Sequence, residues 1–325
     1  MATIYVDPDS GSDANGGTGW GDAKEHIHAA IALITGPVFS ETIIKLKANT
    51  TNPYEEDVTI KGIFGVSGAG CLIIEPEVWN ETNYEEVNGS PFNATPGAGT
   101  WDIKGEDKPC ELKLNLTVEH ARVEIRGLRF KDQLVVTGGG YADVIYCQFD
   151  DEGAMAFANG LGGIGLENCY MFDLPFGAVA SGKATISLSG NNYIENPFIH
   201  GIWAQVDSTV MVSPWGEDPD YYTTEIRVTS PRKEFSAIRL TAKSYMYIKD
   251  DDINPWDVSL AQVDILYDLD VLPSNFYGVL LESASIIQGT AQMTFRTKNE
   301  NGEYVAIPTA QEIVGATEAG ALAIK

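Results

Sequence analysis

Positive charge is scarce in this chain. Lys and Arg number 21 against 46 Asp and Glu, a formal charge of -25 over 325 residues. Such a field repels phosphate backbones and anionic lipid headgroups, so nucleic acid is not an expected partner. It disfavours polyanionic glycans unless cations intervene, favours association with divalent cations, and also serves solubility. Cysteine is scarce too. Cys71, Cys110, Cys147 and Cys169 lack the paired spacing of a zinc site and are too few to staple a chain this long, so they read as core thiols. No stretch approaches about 18 consecutive apolar residues, which excludes a spanning helix, and no membrane insertion is expected. The opening MATIYVDPD has neither a basic region nor an apolar run of signal length, so no secretory signal is expected in this chain. Helical periodicity is almost missing: one amphipathic stretch, residues 22–34, places Ile27, Ala30, Ile31 and Ile34 on one face, with Asp22 as N-cap.

What is present is hydrophobic content of 44%, 33 glycines and a repeat with a drifting period near 20. Aligning Leu128, Cys147, Cys169 and Asn192, at separations of 19, 22 and 23 residues, brings Phe130, Phe149, Met171 and Ile194 into one column. Val123 and Ile125, Val144, Ile164 and Leu166, then Ile186 and Leu188 precede the anchors with the alternation of a strand. A second alternating run follows each anchor: Leu134 and Val136, Met155 and Phe157, residues 176–179, then Ile202 and Ala204. Turn formers at 138–140, 159–160, 181–182 and 207–208 separate the units.

One such unit cannot bury its apolar face alone, whereas stacked units join their columns into a continuous core with strands about 4.8 Å apart. The expected fold is therefore all-β: a right-handed, single-stranded parallel β-helix, or solenoid, with the helix at 22–34 as its N-terminal cap. A propeller needs longer blades and a leucine-rich repeat its Leu/Asn ladder, so the competing architecture is a β-sandwich. The first strand is expected at 42–46. Later ones are expected at 210–212, 225–228, 237–240, 245–248, 263–267, 278–281 and 284–287. The domain reading is 1–40 for an N-terminal strand and the capping helix, 41–290 for the β-helix with insertions, and 291–325 for a closing segment, with 309–325 a helix or a loose tail.

Two segments carry a family resemblance. Ile4-Tyr5-Val6-Asp7-Pro8-Asp9-Ser10-Gly11-Ser12-Asp13-Ala14-Asn15-Gly16-Gly17, followed by His26-Ile27-His28-Ala29-Ala30-Ile31, resembles the entry segment of the pectate-lyase-like β-helix superfamily. That superfamily holds polysaccharide lyases, glycoside hydrolases, and phage tail spikes and other tail appendages. The match covers about the first 35 residues, and the remainder only by repeat pattern. Long insertions depart from it at residues 76–100, 213–223 and 250–257.

Four constellations are candidates for chemistry. Asp7, Asp9, Asp13 and Asn15 offer alternate oxygen donors in a Gly-rich loop, a spacing with a partial likeness to calcium loops; the same residues also make Asx-turns. Asp250, Asp251 and Asp252, with Asp257 nearby, form either a Ca²⁺ site or a solvated loop. Asp150-Asp151, His200-Gly201 and Arg227, with Asn191, Asn192 and Arg239, resemble a thinned polygalacturonase-type pattern, in which one carboxylic acid protonates the leaving oxygen and others activate water. That family's Arg-Ile-Lys is absent here, and 50 residues, about two rungs, separate Asp150 from His200. Trp79, Trp101, Trp215, Tyr221, Tyr222 and Trp256 stand in insertions among acids and amides, a mixture suited to stacking sugar faces or to pinning the loops.

The function expected from these features is carbohydrate recognition, of the tail-spike or adhesin type that the resemblance implies. A polysaccharide lyase or hydrolase is the alternative, and a structural module the third reading. The expected partner is a polysaccharide or cell-surface glycan, and the expected setting extracellular or virion-associated. The expected assembly is a homo-oligomer, a homotrimer among the candidates.

Overall fold

A computed structural model describes residues 2–34, 36–48, 50–65, 72–79 and 110–212. It then describes 222–228, 236–248, 261–267, 277–282, 285–288, 293–298, 304–306, 313–316 and 322–324. The chain winds through three sheets in turn, and each circuit lays its strands beside those of the circuit before. One circuit passes through Arg122–Arg126 in sheet I, Arg129–Phe130 in sheet II and Gln133–Thr137 in sheet III. It then returns to sheet I as Tyr141–Ile145. Among the described residues sheet I has eleven strands and sheets II and III nine each. Every strand pairing described is parallel except that of Met293–Lys298 with Tyr304–Ala306. This is a parallel β-helix, with the right hand that twisted strands impose on parallel crossovers.

The core follows from register. In sheet II, Phe149 lies between Phe130 and Met171, and Met171 pairs with Ile194, which pairs with Ile226. The rings of Phe130 and Phe149 stack at 4.7 Å with 7° between their planes. In sheet I, Ile125, Val144, Leu166, Leu188 and Val212 stand in one buried column. The corners between sheets I and II are two residues long in the regular circuits. A left-handed residue begins three successive corners, at Gly127, Tyr146 and Asn168, each followed by its anchor Leu128, Cys147 or Cys169. Asn192 extends the anchor column: its side-chain oxygen accepts from Cys169 N at 3.0 Å, and its Nδ2 donates to the Leu166 and Ser189 carbonyls.

Three expectations are corrected. In sheet III, Ala156 and Ala158 pair with Leu134 and Val136 and are fully buried, so Met155 and Phe157 point outward. A Met-Ala-Phe-Ala strand carries apolar residues at both parities, and with Phe130 and Phe149 filling the interior of these circuits the wall opposite is left to alanine. The N-terminal helix shrinks to Ile27–Ile31, preceded by a 3-10 turn at Trp20–Asp22. Residues 23–25 are held extended because Lys24 bridges Val6 and its N–H donates to Tyr5 O. Asp22 is consequently no N-cap. Its carboxylate instead closes the preceding loop by accepting from Gly16 N and Thr18 Oγ1. Ile27 and Ala30 enter the core, and the helix packs on Ala2–Val6 and Val58–Lys61, the outermost strands of sheets I and III.

The third correction is at the other end. Ile313–Ala316 pairs with sheet III and Leu322–Ile324 with sheet I, so the described residues of this segment are strands and not the expected helix or loose tail. Alanine favours a helix in isolation, but the last circuit presents unpaired strand backbone, and pairing satisfies it. Strand pairing thus continues past residue 290.

Candidate functional site

Alternation turns every second residue of sheet I outward, and over four circuits those residues line a depression of about 370 Å³. Its lining includes Arg122 and Glu124, then Tyr141 and Asp143, then Gly165 and Glu167, then Ser187 and Ser189. Two glycines make the space. A Cβ on Gly163 would lie 2.6 Å from the Tyr141 ring, and one on Gly165 would lie 3.0 Å from both Asp143 Oδ1 and the Tyr141 hydroxyl. The ring of Tyr141 therefore leans across the next circuit instead of standing clear of it.

The electrostatics of this floor are acidic. Desolvation raises the Asp143 carboxyl above its usual range, against the pull of Arg122, whose Nη2 stands 3.2 Å from Asp143 Oδ2. Burial, and then the charge of Asp143, push Tyr141 up to about 12, and the two side chains share a hydrogen bond. Arg122 also lies over the Tyr141 ring, 5.4 Å from its centre. Glu124 is bound by Arg126, which reaches Glu75 at 3.4 Å and lies 5.9 Å from the ring centre of Trp79. Trp79 and Ile145 both pack on Tyr146, which places this sequence-predicted aromatic beside the strand that carries Tyr141 and Asp143.

The long insertions share one origin. They follow the sheet I strands Leu72–Pro76, Thr209–Val212 and Tyr245–Ile248, at the corner where regular circuits spend two residues. Trp101, Trp215, Tyr221, Trp256 and the run Asp250, Asp251 and Asp252 lie outside the described residues. Tyr222 opens the strand Tyr222–Val228 of sheet II, and its side chain is not described.

The other predicted constellations are dispersed. Asp7 accepts from Asp9 N at 2.9 Å and Ser10 Oγ at 2.7 Å, while Asp9 accepts from the backbone of Thr51 and Asn52, bonds that hold its carboxyl low. Asp13 meets His26 Nδ1 at 2.9 Å and is held low by that residue despite partial desolvation; Asn15 donates to Ala23 O. Each side chain is spent on a separate loop bond. Among the described residues no group of three or more His, Cys, Asp or Glu stands in metal-holding geometry.

Asp150 and Arg227 stand in one column of sheet II, separated by Phe172 and Glu195. Asp150 is engaged by Arg129, whose Nε lies 2.8 Å from Oδ1, and by Lys131 at 3.2 Å. Asp151 is exposed in the turn that follows, and the side chain of Arg227 is not described. His200 opens a strand of sheet III, away from both. Its Nδ1 lies 2.9 Å from Ser236 Oγ and its Nε2 3.1 Å from Arg239 Nη1, and Arg239 pairs with Glu282 at 2.9 Å. Arginine only donates, so His200 Nε2 accepts and Nδ1–H donates to Ser236. That tautomer cannot take the serine's proton, and the cluster is not a nucleophile with its base.

The sequence reading passed over Arg122, Glu124, Tyr141, Asp143 and Glu167. The available signal was two glycines at alternate positions, Gly163 and Gly165, inside a strand otherwise rich in core residues, which marks close approach or open space on the outer face. No protein-family model matches the sequence, and no curated protein matches it. Among solved structures, the native GH136 lacto-N-biosidase from Eubacterium ramulus is similar over 96% of this chain and 68% of that one, with 11% identity and a TM-score of 0.32.

Proposed function

We propose that this protein recognises carbohydrate, and that the groove on sheet I is where it does so. The observation that carries this reading is the groove's composition: an aromatic ring laid over two glycines, ringed by carboxylates and serine hydroxyls. Sugars present apolar faces for rings and hydroxyls for such acceptors. Trp79, packed on Tyr146 beside the strand that carries Tyr141 and Asp143, supports it. The setting proposed is the pectate-lyase-like superfamily, in a tail appendage or adhesin that works as a homo-oligomer outside the cell or on a virion.

A second reading, glycoside hydrolysis, rests on one feature. Asp143 has its carboxyl raised inside the groove, as a general acid requires, and Glu167 lies one circuit further along. The decisive comparison is a glycan-array and titration experiment on the wild type and Gly165→Val, with circular dichroism as the folding control. The valine fills the floor against Asp143 and Tyr141, so binding is expected to fall about tenfold or more, equal to about 1.4 kcal/mol. Unchanged binding by a folded Gly165→Val, or no glycan bound by the wild type, sinks the reading. New reducing ends that vanish in Asp143→Asn would promote the hydrolase.

A further inference from the structure

The outward columns of sheet I run on beyond the depression. Strand register carries the Tyr141 position through Gly163, Thr185 and Thr209 to Tyr245, and the Asp143 position through Gly165, Ser187 and Met211 to Tyr247. Four circuit steps of about 4.8 Å set the Tyr141 and Tyr245 backbones about 19 Å apart along the solenoid axis. In these two columns the three intervening circuits carry glycine, serine, threonine and one methionine, so the floor between the tyrosines stays low. Tyr245 and Tyr247 are 47% and 37% exposed, so both rings on this strand offer a face to a ligand.

Charge completes the picture. At the Tyr141 end the lining carries Glu124, Asp143 and Glu167 against Arg122; Arg122 is already paired with Asp143, and Arg126, beside the lining, with Glu124. Between there and Tyr247 the described outward positions of these two columns bear no charge. A uronate carboxylate laid on this floor would meet carboxylates and no uncommitted cation among the described lining residues, in the field of a chain at -25. Neutral and amino sugars meet no such opposition.

Resting on the carbohydrate reading above, we infer that sheet I binds an unbranched glycan free of carboxylates, laid lengthwise across five strands. Tyr141 forms one aromatic platform, and Tyr245 with Tyr247 the other. The rings hold sugar faces at the two ends, while Ser187 and its hydroxyl neighbours bond to the middle of the chain.

The test titrates defined oligomers of glucose, N-acetylglucosamine and galacturonate, two to six units long, into the wild type and a Tyr245→Ala/Tyr247→Ala variant. Affinity for neutral oligomers is expected to climb with length and level off once both platforms are reached. The double variant is expected to lose about tenfold on the longest oligomers and nothing on dimers, the scale of stacking contacts. Galacturonate is expected to bind at least about tenfold more weakly at every length, most of all at low salt. Preference for galacturonate, or equal loss on short and long oligomers, overturns the inference while leaving the groove as a glycan site. Failure of every oligomer to bind removes both.

Discussion

At the scale of single residues, burial sets the chemistry. His200 is 3% exposed, and burial followed by the Arg239 guanidinium lowers its pKa to about 4. In the unfolded chain the same imidazole takes a proton near 6.5. The folded state therefore binds fewer protons, and its stability falls as pH drops from about 6.5 towards 4, by up to about 3 kcal/mol for this group. Urea midpoints at pH 7 and pH 4.5 are expected to differ more for the wild type than for His200→Gln; equal differences would remove His200 as the cause. Phe149 supplies a second case. Stacked on Phe130 inside sheet II, it is expected to cost about 3–5 kcal/mol on replacement by Ala, measured by chemical denaturation, because the surrounding sheets cannot collapse onto the space left.

At the scale of elements, most strands were legible and their facing was not always so. The expected strands at 42–46 and 245–248 coincide with Thr42–Leu46 and Tyr245–Ile248, since β-branched and aromatic alternation between turn formers marks both. Met155–Asn159 was recognisable as a strand, but its apolar residues fill both parities and only register decides which pair is inside. The consequence is measurable by thermal melting. Phe157→Ser is expected to change stability by no more than about 1 kcal/mol. Ala158→Leu, at the neighbouring position, is expected to cost about 1–3 kcal/mol through overpacking. The reverse order would mean that the strand faces the other way. The N-terminal helix is shorter than its apolar periodicity for a related reason: periodicity carries no sign that Lys24 is held extended on the first strand.

At the scale of the whole molecule, each circuit rests only on its neighbours, so stability is a sum of nearest-neighbour contacts. Hydrogen exchange is expected to be slowest in the regular circuits between residues 116 and 205, which have partners on both sides. It is expected to quicken towards the strands after residue 293. Peptide-resolved exchange with the slowest amides at the C-terminal end would contradict this. The candidate site belongs to the same scale. Its members, Arg122, Asp143, Glu167 and Ser187, come from four successive circuits and form no motif that a linear reading detects.

The amino-acid sequence alone determined the spacing of the circuits, the anchor column from Leu128 to Asn192 and the corners between sheets. These follow from local turn chemistry and from the strand period of two. Tertiary structure alone decided which parity of an all-apolar strand faces the core, how the last strands pair, and which outward side chains gather around Gly163 and Gly165. The reason is geometric. Residues about twenty apart in the chain lie one strand spacing apart in the solenoid, and a surface assembled across circuits takes its chemistry from neighbours that the sequence keeps far apart.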